Sequence, residues 1–279
     1  MNSERIFVMG ASGRVGGGVA RALGAAGAAF RVGLRSPEKW TEPSGEAAYF
    51  DLAAPTTYSA LQGCPRLFLM WPPGTTTAQV GALLISARAQ GIRQVVFLSI
   101  LGAEKVPALP HRRIERLLER SGLEWVLLRA SYFMQNLSTT HRDDIKRRGE
   151  LFVPAGRGRT SMVDAQDVAE VAALALREGH ARVAYDLTGP AAPDYFEVAA
   201  LLSDELGQTI RHADPSALEF VRLSVLRGVA LSFALFMLAE YTVARLGRAG
   251  RVTRTVEEVL GRPASDLRAF VRRERDAWR

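Results

Sequence analysis

Short apolar, β-favouring runs recur along the first half of the chain, each followed by a stretch of different period. Residues 6–9 (Ile-Phe-Val-Met) open the series, and 30–34, 66–71, 93–99 and 124–129 continue it, each mostly Val, Leu, Ile or Phe. Continuous apolar strands of this kind belong to parallel sheets covered on both faces. Between them, residues 15–26, 76–90 and 111–121 read as helices; in the second, Val80, Leu83, Leu84 and Ala87 recur at helical spacing. Strands alternating with helices of roughly 10–15 residues predict βαβ units with right-handed crossovers. The predicted class is α/β, with a doubly wound parallel sheet.

Beyond residue 150 the pattern changes. Short candidate strands at 151–153 and 183–187 mix with helices at 165–176 and 195–206. From Pro215 the chain reads as almost wholly helical, stopping at Gly247 and at Gly261-Arg262-Pro263. We therefore expect residues 1–150 to form the sheet domain, 151–190 to complete its sheet, and 191–279 to form a smaller, mainly helical substrate lobe. Residues 225–244 are the most apolar segment, but they contain Arg227 and Glu240. The uninterrupted part, Gly228 to Ala239, is shorter than the roughly 20 residues of a spanning helix. A buried or pocket-lining helix is expected there, and no membrane role. The run at 6–9 breaks at once into glycines and is too short for a secretory signal. No internal repeat or low-complexity linker is visible.

Composition narrows the class. With 279 residues and 48% apolar content, the chain has room for a large domain and a lobe, and is too apolar for intrinsic disorder. Cys64 is the single cysteine, which excludes a disulfide scaffold and suits a reducing cytoplasm, the expected location. The formal charge of +7 invites a nucleic-acid reading. Yet ten arginines against five acidic residues lie between Arg245 and Arg279, so most of the excess is in the tail. That tail carries no DNA-binding motif or aromatic stripe, and no nucleic-acid partner is expected.

The first strand runs directly into Gly10-Ala-Ser-Gly13-Arg-Val-Gly16. A G-x-x-G-x-x-G loop between a strand and a helix lets the backbone turn sharply and approach a pyrophosphate, which meets the positive end of the helix. Gly10, Ser12, Gly13, Arg14, Val15 and Gly16 are therefore candidate dinucleotide contacts, in the context that gives such a motif meaning. The end of the second strand chooses the cofactor. NAD sites usually carry an Asp or Glu there for the ribose hydroxyl, whereas this chain reads Val32-Gly-Leu-Arg35-Ser-Pro-Glu-Lys39. A guanidinium binds a 2′-phosphate that a carboxylate would repel, so NADP(H) is preferred over NAD(H), with solvated surface cations as the alternative. Asp51 and Leu52 end the third strand toward the adenine end. Trp71 and Pro72 end the fourth, near a nicotinamide ribose; ordinary loop chemistry is the alternative for both pairs.

These motifs, together with Phe97-Leu-Ser99, Ser121-Gly-Leu-Glu-Trp-Val-Leu-Leu-Arg129, Phe133-Met-Gln-Asn136, Met162-Val-Asp164-Ala-Gln-Asp167, Tyr185-Asp-Leu-Thr-Gly189-Pro190 and Gly261-Arg-Pro263, resemble the NmrA-like atypical short-chain dehydrogenase/reductases along essentially the whole chain. The branch of NADPH:quinone oxidoreductases and triphenylmethane reductases is the most similar. The resemblance implies a Rossmann domain with a C-terminal substrate lobe, NADP(H) as cofactor and a small-molecule substrate.

It also exposes a departure from the wider superfamily. Where ordinary members carry Tyr-x-x-x-Lys, this chain has His111-Arg-Arg-Ile-Glu115. By the resemblance, His111 lies near the nicotinamide ribose as a proton donor or ribose contact, and Ser99 stands where the superfamily keeps a catalytic serine and cofactor contact. Local hydrogen bonding is the alternative for His111, and capping of the next turn for Ser99. The same resemblance puts Phe133 beside nicotinamide. Tyr132 is a further candidate acid, Asn136 a substrate or loop contact, and Phe233 and Met237 a pocket wall or plain core. His141, His180 and His212 lack ligand spacing, and no metal site is expected. A quinone, enone, imine or cationic dye accepts hydride readily, so positioning supplies much of the rate without the usual acid. The expected function is NADP(H)-dependent reduction of such a flat electrophile, in specialised metabolite biosynthesis as one setting and with a homo-oligomer as one state. The alternative is a non-catalytic NADP(H) sensor that binds a protein partner.

Overall fold

The apolar runs become β1 (Ile6–Met9), β2 (Phe30–Leu34), β3 (Glu46–Tyr49), β4 (Arg66–Leu69), β5 (Gln94–Ile100), β6 (Glu124–Ala130) and, far along the chain, β7 (Val183–Leu187). In this computed structural model, which describes residues 5–279, they form one parallel sheet ordered β7-β6-β5-β4-β1-β2-β3. The order reverses beside β1, which makes the crevice outside the carboxyl ends of β1 and β4 the ligand-binding switch point of such sheets. All four residues of β1 are at most 3% exposed, as strands covered on both faces require.

Four helices supply that cover. On one side α1 (Arg14–Ala25) packs against α4 (Ala165–Glu178), which crosses β4, β5 and β6. On the other, α2 (Thr77–Ala89) and α3 (Pro110–Arg120) contribute Leu83, Leu84, Ile114 and Leu118 to a core shared with Phe7, Leu67, Val95 and Phe97. Helix α2 starts at a reciprocal capping box between Thr76 and Gln79, and α3 starts on Pro110, whose missing N–H costs nothing in a first turn. The third and fourth strands end at Tyr49 and Leu69, two to three residues earlier than their sequence suggests. Asp51, Leu52, Trp71 and Pro72 thus stand in the loops beyond.

The chain divides into two compact units. The first comprises the chain to Ser131, Ala165–Leu187 and Thr255–Arg262; the second comprises Tyr132–Asp164, Thr188–Arg254 and Pro263–Arg279. The division interleaves: residues 132–164 join the second unit, although the sequence groups 132–150 with the sheet and expects the strand at 151–153 to add to it, and Thr255–Arg262 joins the first.

In the second unit, α5 (Tyr195–Leu206), α6 (Ala217–Leu226) and α7 (Leu231–Arg245) gather around Tyr195, Leu202, Phe220, Tyr241 and Phe270. Two short parallel pairs, Tyr132–Phe133 with Met162–Val163 and Glu150–Phe152 with Arg211–Ala213, complete it. The apolar segment 225–244 departs from its expected form. It is broken at Gly228, whose φ of +88° ends α6, and only Ala234, Met237, Tyr241 and Ala244 of α7 are buried. A single stripe of α7 has a packing partner, and Leu231, Phe233, Leu235 and Phe236 are exposed. No helix among the described residues is long and apolar enough to cross a membrane.

Candidate functional site

The glycine loop closes tightly at the end of β1. Gly10 has φ of +68°, the left-handed region that glycine tolerates without strain. The Gly13 N–H donates back to the Gly10 carbonyl at 2.9 Å. A Cβ on Gly16 would stand 2.3 Å from that carbonyl oxygen, so the first turn of α1 sits directly on the loop only because residue 16 has no side chain. No side chain caps α1, and its first turn holds no acidic residue. Ser12, Gly13 and Arg14 are exposed, while Val15 and Gly16 are buried against the sheet. The arrangement suits a pyrophosphate. It leaves the positive helix end open to an anion, with close backbone approach guaranteed by the glycines.

Beyond β2, Arg35 and Lys39 are exposed and make no ion pair or side-chain hydrogen bond among the described residues. Asp51 is partly engaged, its Oδ1 accepting the Ala53 N–H at 2.9 Å. Leu52 is 3% exposed and belongs to the core, so any contact it makes with a nucleotide is through its backbone. The Trp71 indole donates to the Thr75 carbonyl at 3.1 Å, which fixes the ring in the β4–α2 loop beside the half-buried Pro72.

His111, in the first turn of α3, lies edge-on to Trp71 with ring centroids 5.3 Å apart. Burial pulls its pKa below the ordinary value and nearby Glu115 pulls the other way, with burial prevailing. Ser99 has a different job from the one its position suggests. It is 1% exposed, and its hydroxyl donates to Glu115 Oε1 at 2.7 Å. Arg129 binds the same carboxylate through Nε and Nη2, both at 3.0 Å, and Arg112 adds a bond to Oε2 at 2.9 Å. Burial alone would raise the Glu115 pKa, but Arg129, Ser99 and Arg112 together hold it below the ordinary value. Glu115 is therefore a buried anion held by three side chains, and Ser99 donates its hydroxyl hydrogen bond to it.

In the second unit, three polar atoms meet. Tyr132 Oη lies 3.0 Å from His141 Nε2, Tyr241 Oη lies 2.9 Å from the same nitrogen, and the two hydroxyls are 3.4 Å apart. His141 and Tyr241 are 3% and 2% exposed, whereas Tyr132, Phe133 and Asn136 keep partial exposure. Burial lowers the His141 pKa to about 4, so the imidazole is neutral at physiological pH. Burial, with Tyr241 nearby, holds the Tyr132 phenol well above its ordinary value and hence protonated.

Met237 is 7% exposed and belongs to the unit's core, the plain-core alternative that the sequence offers beside a pocket wall. Phe233 is 47% exposed and stacks on Phe236. A cavity of about 420 Å³ in this unit is floored by Met134, Met162, Leu201 and Leu267 and includes none of Tyr132, Asn136, Phe233 and Met237. Among the described residues no group of three or more His, Cys, Asp or Glu could hold a metal ion.

Residues 10–179 match a family model described as NAD(P)H-binding. The chain belongs to this NAD(P)H-binding family. It is 31% identical over 277 residues to the NAD(P)H azoreductase of Xenophilus azovorans, covering 96% of each chain. It is 32% identical over 286 residues to a (4-alkanoyl-5-oxo-2,5-dihydrofuran-3-yl)methyl phosphate reductase of Streptomyces griseus, covering 98% of this chain and 99% of that one. The crystal structure of Citrobacter sp. triphenylmethane reductase complexed with NADP(H) has the same fold, with a TM-score of 0.84 at 23% identity over 97% of this chain and 99% of that one. The NmrA-like, atypical short-chain dehydrogenase/reductase character read from the motifs agrees with these relatives.

Within this family frame, the arginine-rich tail has a local explanation. Arg262 pairs with Asp167 at 2.8 Å and Glu170 at 2.6 Å, Arg273 with Asp164 at 2.7 Å, Arg272 with Glu205 at 2.9 Å and Arg245 with Asp214 at 2.7 Å. Much of the charge that suggests nucleic acid is matched inside the fold. Two residues of the second-unit cluster escaped sequence reasoning. His141 and Tyr241 lie a hundred positions apart, and neither carries a local signal that would pair them.

Proposed function

We propose that this NAD(P)H-dependent oxidoreductase prefers NADP(H) and reduces a flat, electrophilic small molecule of quinone, enone or imine type. The observation that carries the cofactor preference is the tip of β2, where Arg35 rather than a carboxylate directly follows the strand and Arg35 and Lys39 both stand unpaired among the described residues. Gly10, Ser12, Gly13, Arg14, Val15 and Gly16 would hold the pyrophosphate, Arg35 and Lys39 the 2′-phosphate, the Asp51–Leu52 backbone the adenine end, and Trp71 and Pro72 the nicotinamide end. A reduced nicotinamide supplies hydride when bound. The chain's own task is then to orient the acceptor, exclude water and deliver a proton where the acceptor needs one. His111 is neutral and pinned against Trp71, which suits a ribose contact.

Arg35→Ala should raise the Kd for NADPH about 10- to 100-fold, the worth of a charge-assisted hydrogen bond, while leaving the Kd for NADH nearly unchanged. Fluorescence titration with both nucleotides checks this; equal effects on the two would remove Arg35 from the phosphate. The reaction itself is tested by mixing protein and NADPH with a panel of quinones, enones and imines and following loss of the reduced nicotinamide's absorbance. One observation favours a second reading. Glu115 occupies the superfamily's lysine position as a locked structural anion, which also suits a nucleotide sensor, and tight NADP⁺ binding without turnover on any acceptor would select it.

A further inference from the structure

Helix α7 is apolar on the side away from its core as well as on the side toward it. Ala234, Met237, Tyr241 and Ala244 form the buried stripe. At about 100° per residue, the opposite stripe is Leu235, Phe236, Ala239, Thr242 and Val243, with Ser232 before it and Leu246 just beyond the helix. All of these are exposed, and none is charged, whereas a surface helix ordinarily turns a charged side to water. The Thr242 hydroxyl donates to the Leu238 carbonyl at 2.7 Å, so it can be covered without losing its partner. Leu226, Leu231 and Phe233 extend the exposed apolar surface at the start of the helix. The patch is on the order of 800 Å², beyond the few hundred that a monomer ordinarily leaves bare and close to one partner's share of a standard interface.

We propose that two copies of the chain meet on this face, α7 packing antiparallel on α7 across a two-fold axis at Ala239. A two-fold contact sets residue i against residue j and j against i. With the axis at Ala239, Leu235 faces Val243 of the second copy, Phe236 faces Thr242 and Ser232 faces Leu246, each reciprocally. Every pair sets a larger side chain against a smaller one, which suits close packing, and alanine at the axis lets the two backbones approach. Because the stripe carries no charge, no ion meets its own copy at the axis. A membrane is the poorer occupant. Helices that lie on lipid set Lys or Arg beside their apolar face. The charged residues of α7 are Glu240 and Arg245, and Arg245 is already paired with Asp214 at 2.7 Å. The contact needs only this face and is independent of cofactor and of turnover.

Sedimentation velocity of the full chain at micromolar concentration should give a dimer. Leu235→Glu puts two carboxylates into the contact and should weaken the dimer Kd at least about 100-fold. Its melting curve should stay close to that of wild type, because residue 235 lies off the packed stripe. Disulfide trapping reads the register. Cys64 is 1% exposed and is the single native cysteine, so it does not compete. Ala239→Cys should link two chains on mild oxidation, since the axis brings its two copies together. Ser232→Cys, exposed on the same stripe, should not, because its two copies stand about 21 Å apart along antiparallel helices, far beyond disulfide reach. Monomeric wild type, a dimer that folded Leu235→Glu leaves intact, or linking of Ser232→Cys in place of Ala239→Cys overturns the proposal. A wild-type monomer that sediments with phosphatidylserine vesicles gives the face to a membrane instead.

Discussion

Replacing Glu115 with alanine should cost the fold about 3–5 kcal/mol, the largest stability effect expected of a single substitution in the first unit. The carboxylate is fully buried and receives four hydrogen bonds, from Ser99, from Arg112 and twice from Arg129. Its removal leaves the Arg129 guanidinium, whose side chain is 12% exposed, with Glu104 at 3.5 Å as its remaining ion pair. Arg112 keeps Glu119 at 2.7 Å and suffers less. Denaturant unfolding at neutral pH measures the difference, and a loss below about 1 kcal/mol would place the ion pair in the energetic class of surface pairs. The pH dependence has a definite sign. The folded pKa of Glu115 lies below its ordinary value of 4.5, so the carboxylate's contribution is complete above that value and disappears as pH falls through the folded pKa. The gap between wild type and Glu115→Ala should therefore close in acid.

Gly13→Asp should abolish dinucleotide binding while leaving the protein folded. Gly13 is exposed at the N-cap of α1 with φ of −94° and ψ of 173°, an extended conformation that any residue adopts. Its Cβ would approach the Gly10 carbonyl oxygen to 3.3 Å, a contact the loop can accommodate by a small shift. An aspartate there is a favourable helix cap, so stability should hold or rise. The same carboxylate would stand where the pyrophosphate belongs. Like charges at such a contact cost several kcal/mol, which weakens Kd at least about 100-fold. Titration of NADPH fluorescence, with a melting curve as the folding control, separates the two effects. Unchanged affinity in a folded variant would move the nucleotide site away from this loop.

The legible features and the missed ones differ in a physical way. Local chemistry is legible. Gly10-x-x-Gly13-x-x-Gly16 announces a phosphate loop because the turn and the helix start lie within seven residues, and the replacement of the usual carboxylate by Arg35 is visible at the position directly after β2. The Val183–Leu187 strand was also legible as a late addition to the sheet, and it pairs in parallel with β6. Roles set by distant partners are not. Ser99 stands at the end of β5, and only the fold brings Glu115 from α3 to accept a hydrogen bond from its hydroxyl. Met237 and Phe233 sit four residues apart on one apolar helix, yet one is core and the other exposed, because only a single stripe of α7 meets the rest of its unit. The polar centre of the second unit needed His141 and Tyr241 to be brought together across a hundred residues. Polar residues in a sequence do not say which of them will meet in the fold.

The central claim is hydride transfer from a nicotinamide bound at the glycine loop. NADPH deuterated at the transferable position of nicotinamide C4, incubated with the protein and an enone or imine acceptor, tests it most directly. Mass spectrometry of the product should find deuterium at the carbon that accepted hydride, with one NADPH consumed per product. Stoichiometric NADPH binding with neither oxidation nor deuterium transfer to any acceptor would contradict the claim and leave a nucleotide-binding protein without turnover.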